Sequence, residues 1–266
     1  MKRGNLLIMN KQIIVLGMHR SGTSTLALIL QSIGVNMGEE LLGANSGNPY
    51  GHGEDIDFLN INNKMLKHVN KSWDFPPSDD NIKTAFFKHR KSIQKLINIK
   101  NSKPLWGWKE PRTSLFVNEY HDCLSNPYYI YVERDPHEVA ESLKKRNGMP
   151  IKKGLRLYER YTEKIQNFIE ENPEIRILKI NFKDINSDSL AVINRLIDFL
   201  EIEPSKSEIG LALKIVKPLG VVRANRKNIK HKEMIFLLNK VLHHPFRSII
   251  SFFRISFKKI KYFLGI

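Results

Sequence analysis

The sequence predicts an α/β protein: a mostly parallel sheet with helices on both faces, followed by a basic amphipathic helical tail. Three observations predict it. Short apolar, β-branched or aromatic runs, clearest at 12–17 (QIIVLG) and 128–133 (YYIYVE), alternate with longer segments of helical periodicity. The unusual polar residues gather directly after those runs, where ligands bind in open α/β sheets. Charge is also unevenly placed: residues 223–266 hold eleven Lys/Arg and one acid, Glu233, out of a net charge of +16 for the whole chain.

Each element has a local reason. The run at 12–17 ends in Gly17 and reads as a buried strand. The helix expected at 21–33 places Leu26, Ile29, Leu30 and Ile33 on one face. Residues 43–53 (GANSGNPYGHG) are a loop dense in Gly, Asn and Pro. Glu54, Asp55 and Asp57 then open a helix with Phe58, Ile61 and Met65 on its apolar side, and a basic helix covers 81–98. A second strand, LWGWK at 105–109, is closed by Pro111. After the third strand, Asp135 is placed to N-cap a helix with Pro136 first and Glu138 third. A helix at 155–171 ends before Pro173, a fourth strand lies at 176–180, and helices follow at 190–200 and 208–216.

Composition narrows the class. With 266 residues, 41% hydrophobic and 26% charged, the chain suits one sizeable core and excludes wholesale disorder. The single cysteine, Cys123, excludes a disulfide framework and fits a reducing, cytoplasmic setting. No apolar run is long enough to span a membrane, and the apolar stretch near the start is too short for a signal peptide.

Two anion sites are legible. Gly17-Met18-His19-Arg20-Ser21-Gly22-Thr23-Ser24 lies between a strand and a helix. Its spaced glycines let backbone N–H groups converge on one anion, the helix start adds its positive end, and Thr23 and Ser24 add hydroxyls. The pattern is that of a P-loop with Thr23 where the lysine belongs; the positive charge is Arg20 instead. The bland alternative is a tight strand–helix turn. The second site is Arg134, at the end of the third strand, with Ser142 eight residues on. A guanidinium fork, a hydroxyl and a helix start suit a phosphate. Arg134 paired with a nearby acid is the alternative.

Together, G-x-x-R-S-G-T-S and a later Arg-x7-Ser resemble the sulfotransferases that use 3′-phosphoadenosine 5′-phosphosulfate (PAPS). W-x-W-K-E-P-R, from Trp106 to Arg112, and G-H-G-E-D…L-N at 51–60 are similar to the bacterial, carbohydrate-directed branch. The resemblance covers residues 12–161. It implies PAPS as cofactor, with Gly17, Arg20, Ser21, Gly22, Thr23 and Ser24 on the 5′-phosphosulfate and Arg134 and Ser142 on the 3′-phosphate. Arg223, with Arg226, resembles the late basic segment that closes over the 3′-phosphate, without the glycines expected there. Sulfuryl transfer, like phosphoryl transfer, depends on positioning and charge stabilisation, and needs no metal in this scheme. Arg20 and Lys109 are placed to meet charge on the leaving oxygen.

The cytosolic branch carries Lys-x-His on the second strand; here Lys109-Glu110-Pro111 leaves no histidine for the base. Family members without the histidine use a glutamate, which favours Glu54. Glu40 or Glu39 is the alternative, since Glu40 stands at a spacing after Arg20 close to that in tyrosyl-protein sulfotransferases. His52 is a weaker option, and His19 reads as structural or phosphate-contacting. Arg112 contacts acceptor or cofactor, or pairs with Glu110 or Glu133. Trp73, Trp106, Trp108, Tyr158 and Tyr161 form the pool for an adenine-stacking ring.

In the tail, Phe246, Ile249, Ile250, Phe253, Phe257, Ile260 and Leu264 make one helical stripe flanked by Arg247, Arg254, Lys258, Lys259 and Lys261. It suits an anionic membrane surface, or docking on the domain or a twin subunit. Nucleic acid is not expected, because the aromatics lie on the apolar stripe. The expected organisation is a sulfotransferase-like catalytic domain at 11–230 and a tail at 231–266, acting in the cytoplasm or peripherally on the inner face of a membrane. The expected reaction is PAPS-dependent sulfation of a hydroxyl on a carbohydrate or glycolipid acceptor. The alternatives are a P-loop small-molecule kinase and a non-catalytic anion- or membrane-binding module.

Overall fold

A computed structural model of the chain describes residues 10–43 and 52–221, the last five as backbone only. Arg223, Arg226, the tail at 231–266 and most of the glycine-rich loop lie outside the described residues. The element order is β1 (Lys11–Leu16), α1 (Thr23–Ser32), α2 (Ile56–His68), α3 (Asp79–Lys100), β2 (Leu105–Lys109), a 3-10 turn (Pro111–Phe116), α4 (Val117–His121), β3 (Pro127–Glu133), α5 (Pro136–Asn147), α6 (Ile151–Glu171), β4 (Arg176–Asn181), α7 (Phe182–Ser187), α8 (Ser189–Leu200) and α9 (Lys206–Val221).

The four strands form one parallel sheet in the order β2-β1-β3-β4. From β1 the chain crosses first to one side and later to the other. The carboxyl ends of β2, β1 and β3 are therefore neighbours at the point where strand order reverses. In register, Ile13 faces Gly107 on one side and Tyr128 on the other.

Strand alternation divides the core into two layers. Ile14, Leu16, Trp106, Trp108, Tyr129 and Tyr131 pack with α2, α3, α5 and α6 on one face. Ile13, Val15, Tyr128, Ile130, Val132 and Ile180 pack with α1, α8 and α9 on the other. Burial on both faces is why the strands read as continuous apolar runs. Trp106 and Trp108 stack in series with Phe58, the Phe58–Trp108 centroids being 4.0 Å apart, so both tryptophans are core residues.

The expected strands and most helices are present. The turn at 111–116, α4 and α7 were not expected, and α6 starts at Ile151 rather than at 155. The end of β4 matters to the site. Phe182, which opens α7, lies against Gly22, whose φ is +97°. A Cβ on Gly22 would stand 2.0 Å from the Phe182 ring. Gly22→Ala is therefore expected to lower stability by about 1–3 kcal/mol, from strain at positive φ plus overlap. In urea melts, Phe182→Ala in the same chain should recover the overlap part and not the strain, giving a non-additive cycle. Independent, additive effects would show that the two residues do not meet.

Candidate active site

The site begins with the loop after β1. Gly17 (φ +146°), Arg20 (+74°) and Gly22 (+97°) take positive φ and curl the backbone into a concave turn before α1. Gly17 has no room for a Cβ, which would meet Thr23 Cγ2 and the Val132 carbonyl at 2.9 Å. Its N–H donates to Ser114 Oγ at 3.1 Å, tying the loop to the turn after β2. Ser21 and Thr23 are buried, and Ser21 Oγ is an orphaned buried hydroxyl. A phosphate-sized anion suits this concavity: it would satisfy that hydroxyl as well as the N–H groups of the helix start.

The second anion element is joined to the first. Arg20 Nε donates to Ser142 Oγ at 3.0 Å, and Arg134 Nη1 donates to the Arg20 carbonyl at 2.9 Å. Arg134 Nε also donates to Glu138 Oε2 at 2.9 Å, so the acid-paired arrangement and the loop contact coexist. The Arg134 guanidinium lies 4.4 Å from the Phe182 ring centroid, and Tyr158 donates its hydroxyl proton to the Arg134 carbonyl at 2.7 Å. Burial, then the charges of Arg146 and Arg134, pull the Arg20 pKa down to about 10. Arg20 thus remains a cation at neutral pH, in a field that would favour an anion.

Beside the loop stands a buried ion pair. Lys109, the last residue of β2, donates from Nζ to Glu54 Oε1 at 3.0 Å. Their side chains are 1% and 7% exposed. Gly53, just before Glu54, takes a positive φ of +58° beside Ala27 and the Ser24 carbonyl of α1. On the other side of Glu54, Asp55 caps α2 by accepting from the Asp57 and Phe58 N–H groups, and Lys100 pairs with Asp55 and Asp57, each at 2.8 Å. His52 Nδ1 is 3.9 Å from Glu54 Oε1. Burial lowers the His52 pKa, with Glu54 opposing. Burial likewise lowers that of Lys109 against the pull of Glu54. Glu39 and Glu40 are exposed, Glu39 lying 3.7 Å from Lys103.

A polar layer supports the pair from below. Fully buried Glu110 pairs with Arg112 and accepts from Asn62 Nδ2 at 2.6 Å. Asn62 also donates to Thr113 Oγ1, which accepts from Trp108 Nε1, and Asn62 Oδ1 accepts from the Tyr120 hydroxyl. Of the two pairings expected for Arg112, the one with Glu110 is observed.

His19 packs between rings: its centroid is 4.7 Å from Trp73 and 5.8 Å from Tyr161. Burial, helped by Arg112, Arg146, Lys109 and Arg20, drives its pKa well below the ordinary value, so it is neutral at pH 7. Tyr161 in turn donates to the Trp73 carbonyl at 3.1 Å. With Trp106, Trp108 and Tyr161 in the core, Trp73 and Tyr158 are the partly buried members of the expected aromatic pool near the site.

Four site neighbours were not anticipated: Ser114, Asn62, Phe182 and Arg146. The first three depend on tertiary contacts. Arg146 was legible, since it follows Ser142 by one helical turn and so shares its face.

Comparisons with known proteins bear on the fold and the family. No curated protein sequence matches the chain. Among solved structures, sulfotransferase STF9 from Mycobacterium avium superposes with a TM-score of 0.50 at 12% identity, covering 77% of this chain and 67% of its own. Sulfotransferase STF1 from Mycobacterium tuberculosis H37Rv gives 0.50 at 11% identity, covering 77% and 71%. A sulfotransferase domain from the curacin biosynthetic pathway gives 0.49 at 20% identity, covering 75% and 77%. The model of the sulfotransferase family matches residues 12–206, most of the chain, and the chain therefore belongs to that family.

Proposed function

We propose that this sulfotransferase takes its sulfuryl group from PAPS and transfers it to a hydroxyl of a carbohydrate or glycolipid, with Glu54 as the base. The observation that carries this reading is the buried Glu54–Lys109 pair held against the start of α1. The same strand ends carry two linked anion elements, and a nucleotide with phosphates at both its 3′ and 5′ positions needs two.

The residues divide the work as follows. The loop from Gly17 to Ser24, with Arg20, would hold the 5′-phosphosulfate; Arg134 and Ser142 would hold the 3′-phosphate, with Arg223 added from beyond the described residues. When bound, the cofactor supplies an activated sulfuryl group on a phosphate leaving group. Lys109 holds Oε1 of Glu54 and leaves Oε2 to accept the acceptor's hydroxyl proton as the new O–S bond forms. Arg20 and Lys109 face the negative charge that grows on the leaving oxygen as the old bond breaks. The carbohydrate assignment is supported by the likeness of residues 51–60 and 106–112 to the carbohydrate-directed branch. A basic tail at 231–266 resting on an anionic membrane would suit lipid-linked glycans.

Three outcomes test this reading. Adenosine 3′,5′-bisphosphate is expected to raise the melting temperature well above adenosine 5′-monophosphate, and Arg134→Ala to remove most of the difference. Equal shifts in the wild type would sink the 3′-phosphate assignment. Glu54→Gln keeps an acceptor for Lys109 but loses the basic carboxylate; it should cut turnover by ~100-fold or more while nucleotide affinity barely moves. A comparable loss in Glu40→Gln, with Glu54→Gln nearly active, would move the role to Glu40. Removing the residues after Pro245 should leave a folded, nucleotide-binding domain that no longer sediments with anionic vesicles. Binding by the intact chain should weaken as salt rises. Indifference to vesicle charge would discard the membrane role, and loss of folding would show that the stripe docks on the domain.

A further inference from the structure

We propose that the acceptor carries an anionic group, a carboxylate or a phosphate, close to the hydroxyl that is sulfated, and that Arg146 binds it with help from the Nε–H of Arg112. This rests on the reading of Glu54 as the base, which places the acceptor on Glu54's side of the site.

The argument begins with an excess of cations. Arg20, Lys109, Arg112, Arg134 and Arg146 converge on the strand ends. Arg20 and Arg134 belong to the two cofactor elements, and Lys109 is paired with Glu54. Arg112 gives Nη1 to Glu110, while its Nε is buried without a partner. Arg146 has no carboxylate partner among the described residues; its Nε donates to the side-chain oxygen of neighbouring Asn147 at 2.6 Å.

Arg146 is not there for its helix. Lys144, Lys145 and Arg146 all stand in the last turn of α5, where positive charge is favourable. Lys144 and Lys145 are exposed and suffice for that, whereas Arg146 is half-buried, its guanidinium 5.6 Å from the Trp73 ring centroid. Trp73 is also the ring against which His19 packs. Burial lowers the pKa of Arg146, and the charge of Arg112 lowers it further against the pull of Glu54. Glu54 acts on both guanidinium groups, while Glu110 holds the Arg112 pKa above its ordinary value and leaves Arg146 without such a partner among the described residues. Two partly desolvated like charges form an arrangement that an incoming anion would relieve. Glu54 would not repel that anion strongly, because Lys109 offsets its charge at 3.0 Å.

The test uses the full chain saturated with adenosine 3′,5′-bisphosphate, after that nucleotide's own affinity has been measured. Calorimetry then compares two matched pairs: methyl β-D-glucuronide with methyl β-D-glucoside, and glucose 6-phosphate with glucose. The anionic member of at least one pair should bind about tenfold more tightly, the scale of one charge-assisted pair. Which pair shows the preference separates a carboxylate from a phosphate. Arg146→Met should bring the ratio close to one, any change in nucleotide affinity through the charge it exerts on Arg20 being shared by both members of a pair, and Arg146→Lys should retain part of the preference. Equal binding within both pairs, or a preference that survives Arg146→Met, would overturn the proposal. Failure of the nucleotide itself to bind would instead overturn the cofactor reading, and the proposal with it.

Discussion

The buried Lys109–Glu54 pair makes the rest of the site tolerable. Parallel strands bring their ends together, and here those ends deliver Arg20, Lys109, Arg112 and Arg134 into one small region. Taking one such charge out of water costs several kcal/mol unless a partner of opposite sign is fixed nearby. Glu54 is that partner for Lys109, and Glu110 performs the same service for Arg112. The layer beneath, from Asn62 through Thr113 to Trp108 and Tyr120, satisfies what the carboxylates leave over. Removing any one member would strand a polar group in a dry place, so the constellation should respond as a unit rather than as separable contacts.

Geometry around the loop after β1 follows a similar economy of parts. Arg134 supports the loop through the Arg20 carbonyl, rests on Phe182, and is steadied by Glu138 and Tyr158. Arg20, pushed into positive φ, turns its side chain toward Ser142 instead of solvent. The two anion elements, distant in sequence, share a backbone carbonyl and a side-chain hydrogen bond. A change at one should therefore be felt at the other, as suits two phosphates carried on one ribose.

Much of the fold was legible because its signals are local. QIIVLG and YYIYVE could bury both faces only as central strands, and Asp135 caps α5 from its side chain as its position foretells. The loop glycines were readable for the same reason, since their role is set by their own backbone. Pairings were harder. Arg112 had two carboxylates within reach in sequence, and only packing selects Glu110. Glu54 is buried beside Lys109 whereas Glu39 and Glu40 are exposed, a difference in burial that spacing along the sequence does not carry. Phe182 and Ser114 carried no signal, because a phenylalanine after a strand and a serine in a turn are ordinary until the chain closes around them. Arg146 carried little signal for another reason: it is the third of three basic residues at a helix end, where positive charge is ordinary.

The clamp around Glu54 carries a cost. Gly53 lies beside α1, and Asp55 is held by a helix cap and by Lys100. The carboxylate between them is in place before any substrate arrives. With Glu54 as the base, nothing about its position distinguishes an alcohol from water, and a standing base beside an activated sulfuryl group invites futile hydrolysis. Protection must then come from occupancy: the space next to Glu54 has to be filled by an acceptor that displaces water. An acceptor gripped by its own charge would remain there long enough to do so.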